Sequence, residues 1–164
     1  MENTQFILYE EEYKKLSVII ERLAKEANAK FVFLVDKNGQ LIANVGETEN
    51  IDTTSLASLT AGNIAATGGL AKLLGEKEFS VLFHEGEKDN LHISIIGDRV
   101  ILVVVFDHRS SLGLVRLRVK KASTDLEGIF DDLAKRIQSE LTDSDSESPF
   151  SEISDDDIEN LFSE

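Results

Sequence analysis

From Tyr13 onward Leu16, Ile20, Leu23 and Ala27 recur at steps of three and four residues with Glu and Lys between them, which predicts an amphipathic first helix. The apolar runs Lys30 to Val35 and Gln40 to Val45 flank Asp36-Lys37-Asn38-Gly39, whose Gly can take a positive φ. A β-hairpin follows. From Asp52 to Gly75 the spacing turns helical, with Asp52-Thr53-Thr54-Ser55 as N-cap candidates and Gly75 as the stop. Phe79 to Phe83, Leu91 to Ile96 and Val100 to Phe106, separated by turns at Glu87 to Asn90 and Gly97 to Arg99, read as a three-stranded meander. The last of these, VILVVVF, is apolar on both faces, so it predicts a central strand covered above and below. Val115, Val119, Ala122, Leu126, Ile129, Phe130, Leu133 and Ile137 trace a final helical stripe. Its start alternates like a strand, but the long helical continuation decides for helix. The predicted order is helix, two strands, helix, three strands, helix.

The second helix carries an unusual distribution of side chains. At 100° per residue Leu56, Leu59, Thr60, Asn63, Thr67, Leu70 and Leu74 share one face. Ala57, Ser58, Ala61, Gly62, Ala65, Gly68 and Gly69 crowd the other. Each helix-interior Gly costs about 1 kcal/mol relative to Ala, so these glycines call for something that comes close. Two readings stand: an interface for another helix or protein, or close packing against the protein's own sheet.

Beyond the third helix the pattern changes. Residues 139–149 are rich in Ser and Asp without core periodicity and read as a flexible linker. After Pro149, Ser154 opens a capping-box-like Ser-x-x-Asp, and Ile158, Leu161 and Phe162 then fall on one side of a short acidic amphipathic segment. Such a segment is marginal alone and suits a groove on a partner. The expected organisation is a folded domain over 1–138, a linker over 139–149 and a docking tail over 150–164.

Charge sharpens that division. The 164-residue chain carries −14, and residues 139–164 hold ten acidic residues and no Lys or Arg, leaving 21 acidic against 17 basic, or −4, in 1–138. A strongly acidic tail on a nearly neutral body argues against nucleic acid or an anionic membrane as the main partner. It favours a protein partner with a basic patch. No cysteine is present, so disulfides, thiolate metal sites and thiol nucleophiles are excluded. No stretch has the pattern of a signal peptide or a membrane span, and the expectation is a soluble cytoplasmic protein.

Candidate chemistry is sparse. Gly62 to Lys72 is Gly-rich but lacks the spacing of a phosphate-binding loop and the strand that would feed one. His84, His92 and His108 come from three segments, and nothing nominates further metal ligands beside them. Ser110 and Ser111 lack a nucleophile elbow and fit a helix N-cap better. Arg109 in a loop could act as an arginine finger, but a solvated loop arginine is the commoner case. Arg116, Arg118 and Lys120 read as solvated or structural. The chain shows no active site of its own.

Taken together, VFLVDKNGQLIA, NIDTTSLASLTAGNIAATGGLAKLLGE, FHEG at Phe83 to Gly86, FDHRSSLGLVRLRVKKA at Phe106 to Ala122 and the terminal SPFSEISDDDIENLFSE resemble the roadblock/LC7 family. Within it the chain is similar to the bacterial members that regulate a Ras-like small GTPase. The resemblance implies an α+β sandwich: a five-stranded antiparallel sheet with the second helix on one face and the first and last helices on the other. It also implies a homodimer whose sheets join edge to edge and whose second helices pair. Two copies would then bind one GTP-loaded GTPase and accelerate hydrolysis by repositioning the GTPase's own switch residues, without an arginine finger, in control of cell polarity and gliding motility at a cell pole. The implied contacts are Ala57, Ala61, Ala65, Gly68, Gly69 and Lys72 on the second helix, with Ile153, Ile158, Leu161 and Phe162 docking from the tail and assistance to nucleotide exchange as a further role. No cofactor is implied for this chain; nucleotide and magnesium belong to the GTPase. The alternative within the family is a non-catalytic scaffold that holds a GTPase or motor component.

Overall fold

The computed structural model describes residues 9–146. Helix α1 (Glu10–Glu26) leads into β1 (Phe31–Asp36) and β2 (Leu41–Gly46). Helix α2 (Thr53–Leu74) precedes β3 (Val81–Glu85), β4 (Asn90–Ile96) and β5 (Val100–Phe106), and α3 (Leu112–Ser146) closes the order. The strands form one sheet in the order β2-β1-β5-β4-β3, and every neighbouring pair is antiparallel. The predicted fold class and element order hold.

Local chemistry explains each boundary. At the first hairpin Asp36 Oδ1 accepts from the backbone N–H of Asn38 and of Gln40, each at 2.9 Å, while Gly39 takes φ 91°. This is the side-chain-stabilised turn that Asx residues favour. Helix α1 ends through Asn28 at φ 50°, where the Ala29 N–H reaches the Ala24 carbonyl at 2.9 Å and satisfies an orphan acceptor. Ser111 Oγ caps α3 by accepting from the Leu114 N–H at 3.2 Å, and Ser110 Oγ donates to the Ala27 carbonyl. Both serines therefore position helices, as expected.

Strand β5 is buried at all seven positions, which accounts for its unbroken apolar run. On one face Phe31, Phe33, Val35, Ile93, Ile101, Val103 and Val105 pack with Ala57 and Ile64 of α2. Alternation sends Val32, Leu34, Leu102 and Val104 to the opposite face. That face belongs to α1, through Leu16, Ile20 and Leu23, and to the first part of α3, through Val115, Val119, Ala122 and Leu126. Arg118 of α3 meets Glu26 of α1 at 3.6 Å. Strand β3 pairs only with β4 and is the least buried strand. It starts two residues later than its hydrophobicity suggests, because the register with Asn90 to Ser94 places its ladder over Val81–Glu85.

The chain divides into two compact units, one covering the described residues up to Phe130 and the other beginning at Asp131. In the second unit α3 continues without a break to Ser146, well into the segment read as a linker. Nothing in 139–146 stops a helix that is already propagating, since each added residue gains a backbone hydrogen bond without a new nucleus. Arg136 and Glu140 pair at 3.6 Å one turn apart, and Thr142 Oγ1 donates to the Gln138 carbonyl at 2.7 Å. The tail residues Ile153, Ile158, Leu161 and Phe162 lie outside the described residues.

Candidate partner-binding interface

Helix α2 is set on the sheet by its shortest side chains. Ala57 and Ala71 are fully buried, with Thr60 and Ile64 beside them on the same helical arc. Small residues there let the helix lie close to the strands, and the hydroxyls of Thr60 and Thr67 are satisfied within the helix by the carbonyls of Leu56 at 2.7 Å and Asn63 at 2.9 Å. Asp52 caps the N-terminus, accepting from the Ser55 hydroxyl at 2.6 Å and the Ser55 N–H at 3.1 Å. Those two bonds hold its carboxyl below the usual range. Gly75 ends the helix in the left-handed region at φ 76°.

Two contacts fix how α2 is rotated. Asn63 Nδ2 and His84 Nε2 are hydrogen-bonded at 3.3 Å, which turns the Asn63 flank toward edge strand β3. On the other flank, a Cβ added at Gly39 would meet Ser58 Cα at 3.3 Å and Ala61 Cβ at 3.6 Å, so this side lies against the β1–β2 turn. The outward arc lies between these flanks. It carries Leu59, Leu70, Leu73 and Leu74, which are 73%, 58%, 85% and 70% exposed. Leu59, Leu70 and Leu74 fall toward the Asn63 flank and therefore toward β3. Val81 and Phe83 of β3, 48% and 36% exposed, are in register with Ser94 and His92 and so lie on the sheet face opposite α2.

This corrects the assignment of faces. Ala57 is not on an accessible surface; it belongs to the core against Phe31 and its neighbours. Ala61 and Gly68 are half-buried along the flank, while Ala65, Gly69 and Lys72 are exposed. The leucines, rather than the small residues alone, form the uncovered surface. The missed signal is Ile64: taken as the centre of the buried arc, it gathers Ala57, Thr60 and Ala71 and leaves the leucines outside. The glycines keep their significance. A Cβ at Gly62, Gly68 or Gly69 would meet nothing within 4 Å, so the chain's own packing requires none of them.

The other candidates resolve into structural roles. Arg109 is held by Asp107 in a two-pronged contact, Nε to Oδ1 and Nη2 to Oδ2 at 3.0 Å each, and reaches Glu47 at 3.4 Å. The Arg109 side chain pushes the Asp107 carboxyl down to about 2, and its own pKa is raised by the same bonds. This arginine ties the loop after β5 to the end of β2. His84 bonds Asn63, and His92 is buried in β4. Among the described residues no group of three or more His, Cys, Asp or Glu side chains could hold a metal, and no helix is long and apolar enough to cross a membrane.

Comparison with known proteins places the chain in a family context. The roadblock/LC7 domain model matches residues 15–106. The Myxococcus xanthus protein MglB is 66% identical, with a TM-score of 0.75 over 78% of this chain and 96% of that one. The gliding protein MglB of Thermus thermophilus is 35% identical, with a TM-score of 0.74 over 78% of this chain and 97% of that one. An MglB structure described as having a tetrameric arrangement is 33% identical, with a TM-score of 0.74 over 79% and 97%. No curated protein sequence matches.

Proposed function

The chain belongs to the roadblock/LC7 family, and we propose that it works as a homodimer that activates a bacterial Ras-like GTPase of the MglA type. The observation that carries this reading is the uncovered outer arc of α2, where exposed leucines stand beside glycines that the chain's own packing does not need. Apolar area on that scale favours burial at about 25 cal/mol per Å². The similarity to two MglB proteins over nearly their whole length supports the choice of partner.

The geometry suggests a division of labour within α2. Leu59, Leu70 and Leu74 lean toward β3, whose outer edge offers unpaired backbone groups that a second copy's β3 can pair. Joining two such edges brings the two α2 helices together on the same face of a continuous sheet. Gly62, Ala65, Gly69 and Lys72 then line the top of the paired helices, where glycines admit the backbone of a GTPase switch segment. The acidic segment 150–164 docks separately on the GTPase. Arg109 does not serve as an arginine finger, because it is engaged by Asp107 and Glu47. Acceleration comes from fixing the GTPase's own residues in a competent arrangement, which lowers the entropic part of the barrier.

Mixing this protein with a GTP-loaded MglA-type GTPase tests the proposal. Single-turnover hydrolysis speeds up by about tenfold or more, equivalent to roughly 1.4 kcal/mol of barrier. Tight binding with an unchanged rate would leave only the scaffold reading.

A further inference from the structure

On the sheet face opposite α2, a cleft of about 560 Å³ opens between α3 and the β3–β4 pair. Its volume lies within the range of about 300–1,000 Å³ usual for small-molecule sites. Its floor holds two polar groups that the fold leaves unused. His92 Nδ1 and Ser94 Oγ are both buried and have no hydrogen-bond partner, although their residues are only 2% and 5% exposed. Burying such groups without partners is costly, and native proteins usually supply a partner or keep one in reserve for a ligand.

The rim carries charge that is also unspent. Arg116 and Lys120 stand one turn apart on α3 and line the cleft with Ser123 and Glu127. Among the described residues neither cation forms an ion pair, whereas Arg118, Arg109 and Lys30 are each engaged by a carboxylate. Burial first, and the positive field of Arg116 second, lower the pKa of His92. The charged side chains at the rim are Arg116, Lys120 and Glu127, a net single positive charge that complements one negative charge. Val81 and Val119 supply apolar wall between floor and rim.

We propose that this cleft binds a small monocarboxylic acid, its carboxylate held by Arg116 and Lys120, its apolar body against Val81 and Val119, and Ser94 and His92 supplying hydrogen bonds at the floor. A guanidinium fork matches a carboxylate in two-pronged geometry, and a ring-sized body fits the volume. The site lies away from the outer arc of α2, so it does not depend on the GTPase reading.

Benzoate and its uncharged counterpart benzamide, titrated into the full-length protein at constant ionic strength and followed by backbone amide NMR, separate the outcomes. Benzoate gives saturable shifts concentrated at Ser94, Ile95, Val119 and Lys120, and benzamide binds weaker by about tenfold or more. In Arg116→Gln/Lys120→Gln, whose exposed side chains leave the core untouched, the benzoate shifts no longer saturate while the remaining spectrum is unchanged. Ser94→Ala weakens benzoate without loss of stability, because it removes an unpartnered hydroxyl. Absence of saturable shifts, equal binding of benzamide, or unaltered benzoate affinity in either variant would overturn the proposal.

Discussion

At the scale of single residues, the informative positions are those whose cost is not recovered inside the chain. Gly69 sits in a helix interior with open space where its Cβ would be. Gly69→Ala should therefore stabilise the isolated protein by about 0.5–1 kcal/mol, read as a higher denaturant midpoint, because it removes backbone freedom from the unfolded chain and meets no clash. A drop in stability would mean that the site is already filled. His92 makes a second prediction. Burial first, and Arg116 second, lower its pKa below the ordinary 6.5. The unfolded chain then binds the proton more readily, so this contribution is complete above about pH 6.5 and is lost as pH falls below it. His92→Gln should lose less stability than the parent between about pH 7.5 and pH 5.5, and parallel losses in the two proteins would contradict that origin.

At the scale of elements, the hairpin, the central strand and the caps were legible because each is governed by local chemistry. Asp36 with Gly39, Asp52 with Ser55, and Ser111 ahead of Leu114 do what their residue types dictate wherever they occur. The rotation of α2 was not legible, because leucine is read as a core residue and alanine as a surface filler. That preference is reversed where a helix lies close to a sheet on its short side chains and leaves its leucines outside. Nor was the reach of α3 to Ser146, since Ser and Asp lower helix propensity without ending a helix that nothing interrupts. Arg116 and Lys120 are exposed, as the sequence suggested, and what it did not show is the unpartnered His92 and Ser94 lining the same cleft. The corrected rotation makes an element-scale prediction. Leu59→Asp combined with Leu70→Asp should convert a dimer to monomer in sedimentation while circular dichroism is retained, since both side chains are exposed in the single chain and a charge cannot be buried unpaired. Unchanged sedimentation would remove these leucines from the dimer contact.

At the scale of the whole molecule, edge strand β3 and the outer arc of α2 are two surfaces that the described residues of a single copy leave uncovered. Removing residues 148–164 should weaken the complex with the GTPase by calorimetry while leaving the folded body intact, and an unchanged dissociation constant would make that segment a bystander. The family shows the fold, and contact with the partner is proposed for the outer arc of α2. The most direct test is single-turnover hydrolysis by a GTP-loaded MglA-type GTPase with the parent protein and with Gly69→Arg. A Cβ at Gly69 meets open space, so the monomer should stay folded. The parent should accelerate hydrolysis by about tenfold or more and Gly69→Arg should return the rate to that of the GTPase alone. Equal acceleration by both proteins would contradict the assignment of this helix face as the activating surface.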